Sequence, residues 1–249
     1  MEACYRSYIA EFFGTMFLVI MGCGVFVVTG WATVPTALAF GLAIIAMSYA
    51  IGNISGAHLN PAVTVAHFIN GRMYGNVAVM YIVFQILGAI VGAGILYGIF
   101  LGCDWYDIAV DGIGCNYFGR DVIDMPSAIL LEVVLTMIFV ITVLGTYYDK
   151  RVRGREGLIN GAAFALMYLL GLSLTGASLN PARSIGPALI SCVSDVRALS
   201  EVWLFIFAPI AGAVIASLLY KFLFYPKLMV VEKVEDTCES IAENVADNE

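Results

Sequence analysis

The residue types that could act on a solute are concentrated in two short strings of this sequence. SGAHLNPAV occupies residues 55–63 and TGASLNPAR occupies residues 175–183. Both strings contain Asn-Pro-Ala, and the amide group of asparagine can donate hydrogen bonds to water or to another small polar molecule. No phosphate-binding glycine loop, no metal-spaced group of His and Cys and no nucleophile–base pair accompanies them. The sequence therefore predicts a protein that is not an enzyme and that has no metal centre and no cofactor.

The segments that follow Asn60 and Asn180 are apolar and short. With about ten residues each, at ~1.5 Å per residue, they reach about half of the ~30 Å hydrocarbon core of a bilayer. Proline suits the first turn of a helix, and asparagine suits the N-cap position before it. We therefore expect two re-entrant half-helices, each with about +0.5 of an elementary charge at its N-terminal end. Two such ends facing each other would repel a cation.

The composition places these motifs in a membrane. Of the 249 residues, 61% are hydrophobic and only 12% are charged, about half the charged share of a soluble domain. The mean hydropathy is +0.92, and the net charge of −7 gives no basic surplus for binding nucleic acid. A helix needs ~20 apolar residues to cross the hydrocarbon core. Six apolar stretches approach or exceed this length, at about residues 8–29, 34–52, 77–100, 127–147, 157–174 and 202–224.

The basic residues predict which side each loop occupies. With the N-terminus in the cytoplasm, nine Lys and Arg residues fall on the cytoplasmic side and two on the other, the bias that orients membrane proteins. The aspartate-rich loop at 101–126 is then external, and the acidic tail at 228–249 is cytoplasmic and solvated. Cys103 and Cys115 share the external loop, where they either form a disulfide or stay free thiols. We expect a multi-pass plasma-membrane protein with both termini in the cytoplasm.

An internal repeat relates the two halves of the chain. SGAHLNPAV recurs as TGASLNPAR after 120 residues, AEFFGT at 10–15 as LEVVLT after 121, and QILGAIVGA at 85–93 as PIAGAVIAS after 124. Because each half has three spans, the second half enters the bilayer from the opposite side, which makes an inverted repeat. We expect one transmembrane channel domain over residues 1–249, with repeat 1 at about 5–100 and repeat 2 at about 127–225. Re-entrant backbone at mid-membrane depth is tolerated where it lines a watery cavity, so a pathway is implied.

Two Asn-Pro-Ala motifs at equivalent places in an inverted repeat resemble the aquaporin family of major intrinsic proteins. The resemblance covers about residues 5–225 and rests on the extended strings SGAHLNPAV and NPARSIGP. It implies an all-α membrane protein with six transmembrane helices and two re-entrant half-helices. It also implies a homotetramer in the lipid bilayer, with one pore per protomer that passes water and excludes protons and ions.

The resemblance assigns roles to particular residues. The two Asn-Pro-Ala motifs lie at the middle of the pore, and the carbonyl groups before each half-helix line it. Four residues form the narrowest constriction, where the arginine repels cations. The motifs are Asn60, Pro61, Ala62 and Asn180, Pro181, Ala182; the carbonyls belong to Gly56, Ala57, His58, Gly176, Ala177 and Ser178; the constriction consists of Phe40, Tyr168, Ala177 and Arg183.

Two acids lie inside predicted spans, where a charged side chain costs ~2.5–3.5 kcal/mol or more. Glu11 and Glu132 occupy equivalent positions in the two repeats. By resemblance they accept hydrogen bonds from the re-entrant loops; the alternative is a proton relay in an ion-coupled secondary transporter. His58 and His67 are the two histidines, and we expect His58 to orient its loop or to line the pore. His67 falls at the end of the first half-helix, a position that tolerates a proton; gating of the pore by pH is the alternative.

The solute is predicted from positions at which water and glycerol channels differ. Ser184, Ala188 and Phe205 fit the pattern of water channels, whereas Ile206 is typical of glycerol channels. Tyr168 stands where strict water channels have histidine and glycerol channels have glycine. If its ring points inward the constriction is narrow; if it swings aside the width is open. We predict a water channel, with a channel for glycerol or another small neutral solute as the alternative and an ion-coupled transporter as a weaker one.

Overall fold

The structure, a computed structural model, describes residues 2–119 and 122–224. In this part of the chain, nine α-helices follow one another, and a single 3₁₀ turn lies at Lys150–Val152. The acidic tail, Arg120, Lys227 and Lys233 lie outside the described residues. The helices are α1 (Glu2–Val28), α2 (Thr33–Ser55), α3 (Pro61–Ile69), α4 (Gly75–Phe100), α5 (Ile108–Asp111), α6 (Met125–Tyr148), α7 (Glu156–Thr175), α8 (Pro181–Ser191) and α9 (Arg197–Phe224).

Six of these helices, α1, α2, α4, α6, α7 and α9, are long and apolar enough to cross a membrane. They match the six predicted spans, so the predicted fold class is confirmed. The helices extend beyond the apolar stretches at several ends; α9 begins at Arg197 and α7 at Glu156. Charged residues at such ends reach the polar zone of the bilayer, where a helix continues without cost to its apolar part.

The two half-helices begin at the residues that the motifs predict. Asn60 is the N-cap of α3, and its side chain accepts a hydrogen bond from the amide of Ala62 at 2.8 Å. Asn180 caps α8 in the same way and accepts from the amides of Ala182 and Arg183. In both helices the next residue is a proline, which has no amide hydrogen to satisfy at the first turn. The nine residues of α3 and the eleven of α8 are too few to cross a bilayer.

Close helix crossings recur at equivalent places in the two repeats. A Cβ added to Gly88 of α4 would lie 2.2 Å from the carbonyl oxygen of Phe12 in α1. A Cβ added to Gly212 of α9 would lie 2.5 Å from the carbonyl oxygen of Val133 in α6. Both distances are well below van der Waals contact, so only glycine permits these backbones to approach so closely. The α1–α4 and α6–α9 pairs are therefore counterparts in the repeat.

The loops gather at two faces of the helix bundle. At the face that we call the basic face, the Nε of Arg72 donates to the hydroxyl of Tyr148 at 2.9 Å, and Lys221 donates to the carbonyl of Ile69. At the opposite face, which we call the loop face, residues 101–119 and 122–124 pack over the helix ends. There the indole of Trp31 donates to the carbonyl of Asp111 at 3.3 Å. Consecutive long helices thus run between the two faces in alternating directions.

The two cysteines of the loop at 101–126 do not form a disulfide. Cys103 is half-buried, Cys115 is buried, and both are free thiols.

Candidate functional site

The N-terminal ends of α3 and α8 meet inside the bundle through their two capping asparagines. The Nδ2 of Asn60 donates to the carbonyl of Leu179 at 2.8 Å, and the Nδ2 of Asn180 donates to the carbonyl of Leu59 at 2.8 Å. Each amide has a second N–H, which has no partner among the described residues. Both side chains are almost completely buried, so these free donors face the interior of the molecule. The positive ends of the two half-helices therefore converge on one buried polar point.

The loop before each half-helix has an unusual backbone. Ala57 and Leu59 have φ angles of 47° and 53°, and their counterparts Ala177 and Leu179 have φ angles of 42° and 54°. This left-handed region is unfavourable for residues with a side chain. Such a conformation persists where the surroundings determine it, so these loops need firm support from neighbouring groups.

Glu11 supplies that support in the first repeat. Its Oε1 accepts from the amide of His58 at 2.9 Å and from the hydroxyl of Ser55 at 2.7 Å. Its Oε2 accepts from the amide of Leu59 at 2.7 Å and from the side chain of Gln85 at 2.7 Å. Four donors thus surround a completely buried carboxyl group, which compensates for its removal from water.

Glu132 does the same in the second repeat. Its Oε1 accepts from the amide of Ser178 at 2.9 Å and from the hydroxyl of Thr175 at 2.7 Å. Its Oε2 accepts from the amide of Leu179 at 3.0 Å. Among the described residues Glu132 has three donors where Glu11 has four, because no side chain takes the place of Gln85. Each of the two acids therefore contacts the re-entrant loop of its own repeat.

The carbonyl groups before the half-helices lie along two entrances. Exposure falls from Gly56, which is exposed, to Asn60, which is 1% exposed. The carbonyls of Gly56, Ala57 and His58 have no protein donor among the described residues, which leaves them free to accept from water. On the loop side, two of the three predicted carbonyls are occupied by the protein itself: Gly176 accepts from Arg183 at 3.3 Å and Ser178 from Tyr168 at 3.2 Å.

The four residues predicted to form a constriction lie together. The rings of Phe40 and Tyr168 have centroids 4.3 Å apart, and the Cζ of Arg183 lies 5.2 Å from the centroid of Phe40. The Nε of Arg183 donates to the hydroxyl of Tyr168 at 3.1 Å. The phenol therefore points inward, toward the arginine, and not aside. Phe40, Tyr168, Ala177 and Arg183 are each 0% exposed, so the four residues are tightly packed inside the bundle.

Two residues of loop 101–126 also bind the arginine, and the sequence analysis missed both. The Nη1 of Arg183 donates to the carbonyl of Gly114 at 2.7 Å and to the Oδ1 of Asn116 at 2.7 Å. Asn116 also accepts from the hydroxyl of Ser184 at 2.8 Å. The sequence feature that could have indicated Asn116 is its uncharged amide, in a loop otherwise rich in aspartate. Next to it, burial raises the pKa of the Cys115 thiol to about 11.

A cavity of about 210 Å³ opens above this arginine at the loop face. Its wall includes Trp31, Asp111 and the backbone of Gly114 and Gly176, the two carbonyls that Arg183 contacts. The cavity is smaller than most sites for drug-sized ligands. Its position and size fit a shallow entrance beside the backbone that holds Arg183.

Six spans, two half-helices and matched buried motifs define a membrane protein built as an inverted repeat. The family model described as Major intrinsic protein matches residues 1–220. Aquaporin Z of Rhodopseudomonas palustris is 38% identical over 239 residues, 92% of this chain and 98% of that protein. The lens fiber major intrinsic protein of Lithobates pipiens is 38% identical over 232 residues, 90% of this chain and 83% of that protein. The chain belongs to the major intrinsic protein family.

The fold comparison agrees with this assignment. The X-ray structure of the aquaglyceroporin from Plasmodium falciparum superposes with a TM-score of 0.78 and covers 90% of this chain and 98% of that one. At 24% sequence identity the likeness is one of fold. The resemblance noted from the two Asn-Pro-Ala strings is thereby confirmed.

Proposed function

We propose that this protein is a passive channel for water that excludes protons and ions. The observation that carries the proposal is the reciprocal contact of Asn60 and Asn180 at the converging ends of the half-helices. Each amide has one N–H held by the opposite loop and one N–H free. A water molecule that accepts from both free groups is oriented with its hydrogens pointing away from the asparagines. This orientation interrupts a chain of hydrogen-bonded water along which protons would otherwise pass.

The constriction supplies the second half of the selectivity. Arg183 carries a positive charge in a buried site, where it repels cations more strongly than in water. The rings of Phe40 and Tyr168, with centroids 4.3 Å apart, narrow the constriction beside this charge, which disfavours a solute as large as glycerol. The name of Aquaporin Z, at 38% identity to this chain, supports water as the solute.

Several further features belong to the same proposal. We infer that the protein is a homotetramer with one pore per protomer and lies in the plasma membrane. The basic face, where Arg72 and Lys221 lie, is proposed to be cytoplasmic because of the positive charge there. The loop face is then external.

Osmotic measurements on proteoliposomes test the function. A sucrose gradient should cause shrinkage much faster than in empty liposomes, and a glycerol gradient should cause the same shrinkage without fast reswelling. Rapid reswelling in glycerol would favour the glycerol channel instead. Flux that saturates with solute or depends on a sodium or proton gradient would favour a secondary transporter.

A further inference from the structure

His58 makes a side-chain contact that recurs in the second half of the chain. Its Nδ1 lies 3.1 Å from the hydroxyl of Thr64. Their counterparts in the second repeat, Ser178 and Ser184, have hydroxyl oxygens 2.6 Å apart. The contact is therefore common to both repeats, but a serine side chain has one polar atom whereas an imidazole has two. The second nitrogen of His58 has no counterpart in the other repeat and calls for its own explanation.

Glu11 fixes the orientation of the side-chain amide of Gln85. Both oxygens of Glu11 accept from backbone amides, those of His58 and Leu59, and a backbone N–H can only donate. The carboxyl group therefore also acts as an acceptor toward Gln85, and the atom of Gln85 that faces it at 2.7 Å is Nε2. The reverse orientation would place the amide carbonyl against the carboxylate. The Oε1 of Gln85 has no partner among the described residues, so the contacts of Nε2 alone orient the amide.

The amide of Gln85 in turn fixes the direction of the Thr64 hydroxyl. The second hydrogen of Nε2 is donated to the hydroxyl oxygen of Thr64 at 3.0 Å. This hydroxyl has one hydrogen of its own, and the Nδ1 of His58 is its other partner among the described residues. The hydroxyl of Thr64 therefore donates to Nδ1. Because a ring nitrogen that accepts a hydrogen bond carries no hydrogen, a neutral His58 has its N–H at Nε2.

Nε2 of His58 lies at the entrance on the basic face. A Cβ built on Gly56 would be 3.5 Å from both Nε2 and Cδ2, so this edge of the ring faces Gly56, which is exposed. Nε2 has no hydrogen-bond partner among the described residues and is not enclosed by them, so water reaches it. The carbonyls of Gly56, Ala57 and His58, which border the same entrance, can only accept.

We propose that Gln85 and Thr64 set the tautomer of His58, which thereby presents an Nε2–H donor to solute at the basic-face entrance. His58 is then a solute-binding residue, a role that rests on the proposed function, and Gln85 and Thr64 are positioning residues that act through it. The entrance offers one donor among three acceptors. A small molecule that both donates and accepts, as water does, satisfies both kinds of group, whereas a molecule that only donates or only accepts does not.

The tautomer is measured by solid-state NMR on protein with isotope-labelled histidine, in lipid at about pH 8, where a free imidazole is neutral. The chain has two histidines, and His67→Phe assigns their signals. Nε2 is identified by its bond to Cδ2, and a ring nitrogen that carries hydrogen resonates far from one that does not. The wild-type protein should have hydrogen on Nε2 of His58 and not on Nδ1. The opposite pattern would overturn the inference.

Substitutions of the positioning residues test how the tautomer is set. Thr64→Val keeps the shape of the side chain and removes the hydroxyl, and Thr64→Ser is the matched control that keeps it. In Thr64→Val the fraction of His58 with hydrogen on Nδ1 should rise at least about fivefold, the factor that one net hydrogen bond gives; Thr64→Ser should match the wild type. Gln85→Met should also raise this fraction, because the Thr64 hydroxyl is then free to accept from Nδ1. An unchanged tautomer in every folded variant would overturn the role of Thr64 and Gln85.

Water flow through proteoliposomes tests the role of His58 itself. His58→Phe keeps an aromatic ring and removes the donor, so the rate per folded protein should fall about two- to fivefold, the effect of one hydrogen bond on the barrier. His58→Gln, whose amide nitrogen reaches the position of Nε2, should retain most of the flow. His67→Phe is the control that changes the neighbouring ring and leaves the donor in place, and should flow like the wild type.

The two measurements separate the inference from the proposed function. Equal flow in wild type and His58→Phe would overturn the solute-binding role of His58, as would an equal loss in His58→Phe and His67→Phe. An Nε2–H form of His58 that depends on Thr64, in a protein without water flow, would uphold the tautomer and overturn the proposed function.

Discussion

Arg183 and Tyr168 hold each other at the constriction. The Nε of the arginine donates to the phenol oxygen at 3.1 Å, and the phenol proton goes to the carbonyl of Ser178 at 3.2 Å. Both side chains are completely buried. The phenol thus fixes the position of the positive charge, while its ring fixes the width beside that charge. Substitutions of Tyr168 therefore test the selection of solutes by size, and substitutions of Arg183 test the selection by charge.

Removal of the Tyr168 ring should widen the pore. We expect Tyr168→Gly to raise glycerol permeability in proteoliposomes at least about tenfold, because a steric barrier of only ~1.4 kcal/mol corresponds to that factor. Tyr168→Phe is the matched control, since it keeps the ring and loses only the hydroxyl, and should remain nearly impermeable to glycerol. A glycine variant as tight as the wild type would show that this ring is not the barrier.

Removal of the Arg183 charge should admit cations. Valine occupies the equivalent position, residue 63, in the first repeat, so Arg183→Val tests an arrangement that the fold already contains once. We expect proton conductance, followed with a pH-sensitive dye inside liposomes, to rise at least about tenfold, because an unpaired charge at close range contributes several kcal/mol in a buried site. Water flow should change little.

Arg197 provides the control for that measurement. It is exposed at the start of α9, so Arg197→Val removes one positive charge from the loop face without touching the constriction. Its proton conductance should equal that of the wild type. Equal conductance of both variants would contradict the electrostatic role assigned to Arg183.

The sequence predicts the architecture well because its signals are local. An apolar stretch of ~20 residues has one stable solution in a bilayer, a helix, and Asn-Pro at residues 60–61 and 180–181 specifies a helix start within two residues. The internal repeat then predicts that the second half of the chain has the same arrangement of helices as the first, in inverted orientation. The ends of α7 and α9 were less predictable, because Glu156 and Arg197 are polar residues that interfacial water accommodates inside a helix.

The partners of the buried polar groups could not be predicted in the same way. Asn116 lies 67 residues before Arg183, and Gln85 lies 74 residues after Glu11. Such pairs depend on which helix faces which, and the repeat gives no guide because neither residue has a polar counterpart in the other half. Gln85, an amide within an apolar span, was the clearest unexploited signal, since a buried amide requires partners.

The hydrogen bonds of Glu132 should be needed for stability. In Glu132→Gln one carboxylate oxygen becomes an NH₂ group that faces donors, from Ser178 and Thr175 on one side or from Leu179 on the other. We expect the melting temperature in detergent to fall by about 4–8 °C, the shift that ~2 kcal/mol gives in a chain of this size. Glu156→Gln, at the partly exposed start of α7, should leave it within about 2 °C. Equal shifts would count against the support of the loop by Glu132.

Cys115 should be chemically inert in the folded protein. Burial raises the pKa of its thiol to about 11, so only about one molecule in 10⁴ carries the reactive thiolate at pH 7. We expect a maleimide reagent to label the half-buried Cys103 but not Cys115 unless the protein is unfolded first. Peptide mapping without a reductant is the check, and a peptide pair linked through Cys103 and Cys115 would show that these thiols do oxidise together.

The crossing of α1 and α4 should tolerate no side chain at residue 88. In Gly88→Ala the new Cβ would lie 2.2 Å from the carbonyl oxygen of Phe12, so the helices must separate, at a cost of about 3 kcal/mol or more. We expect a much lower yield of folded protein and early thermal unfolding in detergent. Gly98→Ala is the control on the same helix, because a Cβ there meets nothing within 4 Å. Since both substitutions raise helix propensity equally, a stable Gly88→Ala protein would mean that these helices do not pack so closely.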